Sequence, residues 1–136
     1  MRRPRWLAAL LLLMASALRA GEGWRAPAEE RARTSPVPPS EAALAKGHAL
    51  YQRHCQSCHG GTGRGDGKAA GASPRPPGDL TDQRDTSEGE IFWKVSQGLK
   101  ERGEVVMPRF DGEITNADDR WKLVLYVRTL GSPKSP

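Results

Sequence analysis

The sequence predicts an all-α domain of a few helices joined by long loops, and three observations carry that prediction. Three segments start on good helix caps and repeat apolar residues at helical spacing. No stretch alternates as a half-buried strand would. The segments between the helices hold too much Gly and Pro to be regular. The chain has 136 residues, of which 6% are aromatic. That length suits one domain but supplies little bulk for a side-chain core, so a staple, a metal or a cofactor is expected to help hold it.

The first helix is expected from about Ala42 to Cys55, after Pro39. Ser40 is its N-cap and Glu41 suits the positive end of the helix. Leu44, Gly47 and Tyr51 share one stripe. Residues 60–79 contain seven Gly and three Pro and must be loop. A second helix is expected from about Glu88 to Gln97, opened by a Ser87/Glu90 capping box and closed by Gly98. Residues 99–113 read as loop again. The third helix is expected from about Asn116 to Leu130, with Thr115 as cap, Trp121, Val124, Leu125 and Tyr126 as its apolar face, and Gly131 as its stop.

Ahead of this domain, residues 1–20 read as a signal peptide. Three Arg among the first five residues precede an apolar run from Trp6 to Leu18, too short to span a bilayer comfortably. Cleavage after Ala17 or after Ala20 fits equally, and the mature protein is expected in the periplasm. Residues 21–39 read as a disordered, Pro-rich linker that would become a tether if the signal stayed uncut. The domain is expected over 40–131, with a flexible tail at 132–136. The net charge of +5 is misleading, because residues 21–136 carry only +1. No basic stripe suited to nucleic acid remains.

Cys55-Gln56-Ser57-Cys58-His59 has the spacing of covalent haem attachment. Two thiols three residues apart can reach the two vinyl groups on one porphyrin edge, and the adjacent His then lies under the iron. A disulfide across so short a loop would restrain almost nothing. A thioredoxin-like dithiol needs a βαβ context that is missing, and a zinc site needs four ligands. Met107 is the candidate sixth ligand, being the only Met after the signal, in a loop 48 residues past His59. His48 is the runner-up, and ordinary packing is the plain alternative for Met107. The run from Gly60 to Lys68 misses the phosphate-loop pattern at Thr62 and Ala69.

Over about residues 41–131 the chain resembles the class I cytochrome c family. The resemblance rests on Gly47-His48-Ala49-Leu50-Tyr51, on Gly65-Asp66-Gly67 followed by Pro76-Pro77-Gly78-Asp79-Leu80, on Met107-Pro108 with Phe110, and on Asp119-Arg120-Trp121 leading to Tyr126-Val127. It implies a cytochrome c fold wrapped around one covalent haem c, with the N- and C-terminal helices crossing at Gly47 against Tyr126. It also implies a loop carbonyl, at Pro76 or Pro77, that accepts from the axial His ring. Leu80, Phe92, Trp93, Phe110 and Trp121 would line the haem pocket or the core.

The resulting expectation is an electron-transfer protein, not an enzyme. Cys55 and Cys58 attach the haem, and His59 and Met107 hold its iron. Its partners would be a protein electron donor and an acceptor, which could sit in a membrane-bound complex; the chain would be a monomer and bind no nucleic acid. Two alternatives stay open: a haem c subunit or tethered module of a larger oxidoreductase, and a five-coordinate haem for gas binding or peroxidase chemistry.

Overall fold

The computed structural model describes residues 23–131. The signal-peptide and tail expectations fall on residues outside that range. The elements run α1 (Ala28–Arg31), α2 (Glu41–His54), α3 (Gln56–His59), a 3-10 turn (Ala70–Ala72), α4 (Glu88–Gln97), β1 (Leu99–Glu101), β2 (Glu104–Met107) and α5 (Ala117–Leu130). The fold is mostly helical, and the three long helices lie where their caps and periodicity put them.

The caps act as the side chains dictate. Ser40 Oγ accepts from the Ala43 amide at 3.1 Å, and Ser87 Oγ from the Glu90 amide at 3.2 Å. At α5 the cap is Asn116, not Thr115: Asn116 Oδ1 accepts from the amides of Asp118 and Asp119 at 2.8 and 3.4 Å. Both residue types cap well, and the longer Asn side chain, one position later, reaches two amides.

The core sits where α2 and α5 cross. Tyr51, Trp121, Leu123 and Val124 are fully buried there, with Phe92 and Val95 of α4 packed beside them. Gly47 makes the crossing possible, because a Cβ at this position would overlap the Lys122 carbonyl and crowd Tyr126 Cβ. Tyr126 stacks on His48 and lies 5.2 Å from the Tyr51 ring, between centroids. Phe92 stacks on Trp121 at 4.1 Å, which ties α4 to α5.

Two further expectations are corrected. Residues 99–107 are not all loop: β1 and β2 form an antiparallel hairpin with Glu101 opposite Glu104 and Lys100 opposite Val105. Its turn is Arg102-Gly103, both at positive φ (51° and 86°), the geometry that twists with the strands. The pairing slips between Leu99 and Lys100, so that Leu99 faces Met107 and Val106 is the extra residue of a bulge. The strands are short and largely exposed, with Val105 at 48%, so alternation has no burial to follow.

The second correction concerns the supposed linker. Its described part, residues 23–39, docks along α4 as a strap. Ala26 is 1% exposed. The Trp24 indole N–H donates to the Gly98 carbonyl at 3.1 Å, and the Ser35 amide donates to Glu88 Oε2 at 3.0 Å. Glu90 also departs from its expected reciprocal cap: its carboxylate meets Lys94 at 3.0 Å and Arg25 of the strap at 4.0 Å. The Arg33 guanidinium lies 4.8 Å over the Phe92 ring and 5.4 Å over that of Trp121. A Cβ at Gly89 would strike the Glu30 and Arg33 carbonyls, so the strap touches backbone directly.

Candidate haem-binding site

The segment from Cys55 to His59 is a single tight turn continuing α2. Cys55 caps both helices, and the amides of Cys58 and His59 return to its carbonyl at 3.2 and 2.9 Å. Gly60, at φ 81°, breaks the turn. Its carbonyl accepts from the buried Tyr51 hydroxyl at 2.6 Å, fixing the exit of the turn to the core. Burial, and next the nearby Cys55, push the Tyr51 hydroxyl well above its ordinary pKa, so it stays a neutral donor.

The Gly-rich loop then folds back on this turn. The amides of Gly65, Gly67 and Ala69 donate to the carbonyls of His59, Cys58 and Ser57 at 2.8, 3.0 and 2.7 Å. Every residue of the motif from Ser57 to His59 is thereby held by its backbone. Gly67 is needed for this approach, because a Cβ there would overlap the Ser57 carbonyl.

The same loop orients His59. Its Nδ1 lies 3.0 Å from the Gly78 carbonyl. A carbonyl only accepts, so Nδ1 carries the proton and Nε2 keeps a free lone pair. Burial lowers the His59 pKa, partly offset by this hydrogen bond, and the ring stays neutral as a metal ligand requires. The bond belongs to Gly78, not to Pro76 or Pro77 as expected. Pro77 instead places its carbonyl against Gly65, where a Cβ would collide with it.

The two cysteines are free, Cys55 buried and Cys58 half-buried. Burial first, and Cys58 second, push the Cys55 thiol up to about 12. Burial therefore keeps the Cys55 sulfur in its neutral form. A thioether sulfur is neutral, so this environment fits covalent haem. Among the described residues, no three His, Cys, Asp or Glu side chains form a group able to hold a metal ion.

Met107 ends β2, half-buried and packed against the core. The loop after His59 is tied to this hairpin: Ser73 Oγ donates to the Val106 carbonyl at 3.1 Å, and Arg75 pairs with Glu101 at 2.8 Å. His48 is stacked on Tyr126 at the helix crossing. His54 has a side chain only 12% exposed, 3.2 Å from Glu113 and edge-on to Phe110. Phe92, Phe110 and Trp121 are core residues, while Leu80 and Trp93 are half-buried. A cavity of about 430 Å³ beside α2, lined by Lys46, Arg53, His54, Glu113 and Asp119 among others, contains none of the four expected site residues.

The attachment turn, the neutral His and the crossed helices define a monohaem cytochrome c domain. Residues 42–127 match the profile of the family described as cytochrome c oxidase, cbb3-type, subunit III, and the chain belongs to that family. Membership carries haem-based electron transfer with it, and the Cys55/Cys58 pair is consistent with one covalent haem c. A solved structure of the Kuenenia stuttgartiensis reducing HAO-like protein complex is similar at 31% identity and a TM-score of 0.61, over 70% of this chain. The chain spans 46% of that structure's chain. No curated protein matches.

Proposed function

We propose that this protein is an exported one-electron carrier whose single haem c is bound through Cys55 and Cys58, with Nε2 of His59 and the sulfur of Met107 as axial ligands. The observation that carries the proposal is the His59–Gly78 hydrogen bond, which leaves Nε2 free directly after the two attachment sulfurs. The haem supplies a metal centre that changes oxidation state by one electron. The chain's own residues brace the turn through its backbone carbonyls and hold His59 neutral and aimed. A Met opposite a His raises the reduction potential, and burial bears on it too. The half-buried position of Met107 and its hairpin's ties to the His59 loop support the Met assignment. Contact with donor and acceptor proteins would be small and transient, in the periplasm.

A pyridine haemochrome spectrum and denaturing electrophoresis stained for haem test the attachment. Cys55→Ala/Cys58→Ala is expected to lose all covalent haem; its retention overturns the reading. The ferric Met–iron charge-transfer band is expected in the wild type and absent in Met107→Ala. A missing band in the wild type instead favours the five-coordinate alternative.

A second reading, a fixed subunit or tethered module of a larger oxidoreductase, is favoured by the similar structure, which comes from a protein complex. Copurification of other chains with the native protein supports it, and a free monomer counts against it.

A further inference from the structure

We propose that the strap from Trp24 to Ser35 positions Met107 by bracing the joint between α4 and the hairpin. The inference rests on the assignment of Met107 as an axial ligand. Gly98 is that joint. It ends α4 at φ 63°, and its carbonyl takes the Trp24 indole N–H. A Cβ at Gly98 would run into the backbone of Met107, Pro108 and Arg109, so the ligand-bearing segment rests directly on this residue. The Phe110 amide, three residues past Met107, donates to the Val95 carbonyl in the last turn of α4 at 3.0 Å. The strap grips that turn as well, with the Lys94 ammonium 5.2 Å from the Trp24 ring. Its other anchors follow α4 back to its start, at Glu90, Gly89 and Glu88.

Room for an external ligand in place of Met107 opens when its hairpin moves away from Gly98 and Val95. A strap that fixes α4 at both ends opposes that movement. Removing the brace therefore raises the population of the state with Met107 detached. An external ligand competing for the iron binds more tightly by the same factor. Trp24 and Gly89 act here as positioning residues, since neither is placed against the haem.

The test uses the ferric holoprotein titrated with imidazole, followed by loss of the Met–iron charge-transfer band. Trp24→Ala, which removes the hydrogen bond and the ring, is expected to tighten imidazole binding about tenfold. Trp24→Phe keeps a ring and loses only the donor, for a gain of roughly threefold. Gly89→Ala drives a methyl into the strap and is expected to resemble Trp24→Ala. Asn116→Ala removes a helix cap away from the strap; it should lower the melting temperature and leave imidazole affinity unchanged. Wild-type affinity in all three strap variants, with the band intact, overturns the brace alone. A wild type without the band, in which Met107→Ala leaves imidazole affinity unaltered, overturns the ligand assignment and the brace with it.

Discussion

The crossing of α2 with α5 and the docking of the strap on α4 share one device. In each, a helix presents a glycine so that another backbone can come close, Gly47 to the Lys122 carbonyl and Gly89 to those of Glu30 and Arg33. They differ in what surrounds the contact. Around Gly47 lie Tyr51, Leu123 and Val124, all with no measurable exposure. In the strap only Ala26 is buried, Val37 is partly so, and the remaining hold is polar: an indole donor, a carboxylate, one ion pair and a guanidinium on aromatic faces. The first contact belongs to the folding unit as a whole. The second can open by itself and weaken with salt.

The largest effect should separate the two at once. Leu123→Ala empties a fully buried site at the crossing and should cost about 2–5 kcal/mol in denaturant unfolding of the holoprotein. Gly47→Ala should cost about 1–3 kcal/mol from overpacking, although Ala is the better helix former; a neutral result would mean that the helices can part there freely. Gly89→Ala should cost about 1 kcal/mol or less. Its signature is local: amides of residues 28–35 lose protection from hydrogen exchange while those of α5 keep theirs. Equal loss across both would remove the distinction between the regions.

The smallest effect is electrostatic and belongs to the crossing. The hydrogen bond from Lys122, and then the charges of Lys122 and Lys46, hold the Asp119 carboxyl below its ordinary value of 3.8. A lowered acid stabilises the fold fully above that ordinary value. The contribution is lost as pH falls through the lower folded value. For this partly exposed pair it should amount to about 0.5 kcal/mol. Asp119→Asn should flatten that part of the stability profile below pH 4, read from melts at closely spaced pH.

Much of the crossing was legible in the residues themselves. Ser40 and Ser87 announce their helices, Gly47 and Tyr126 stand on facing stripes, and Cys55 to His59 marks the site. What escaped was decided by contacts without periodicity. The hairpin turns on Arg102-Gly103, where no Asn-Gly or Asp-Gly advertises it. The strap reads as linker because its anchors, Trp24, Ala26, Arg33 and Ser35, are irregularly spaced among Pro and charged residues. Trp24 was the available signal, a large aromatic in an otherwise polar stretch. The carbonyl serving His59 fell on Gly78 because the Pro77 carbonyl is turned toward Gly65.

The strap also changes how far this protein could stray from a bilayer. Counted as free chain, residues 19–39 would give a leash of about 70 Å between the apolar run and the domain. With Trp24 fastened to Gly98, only residues 19–23 remain, about 17 Å when fully stretched. Were the apolar run kept in a membrane, the domain could not roam across a wide gap to distant acceptors while the strap stays docked. It would work at the lipid surface, trading electrons with neighbours in the same sheet of membrane.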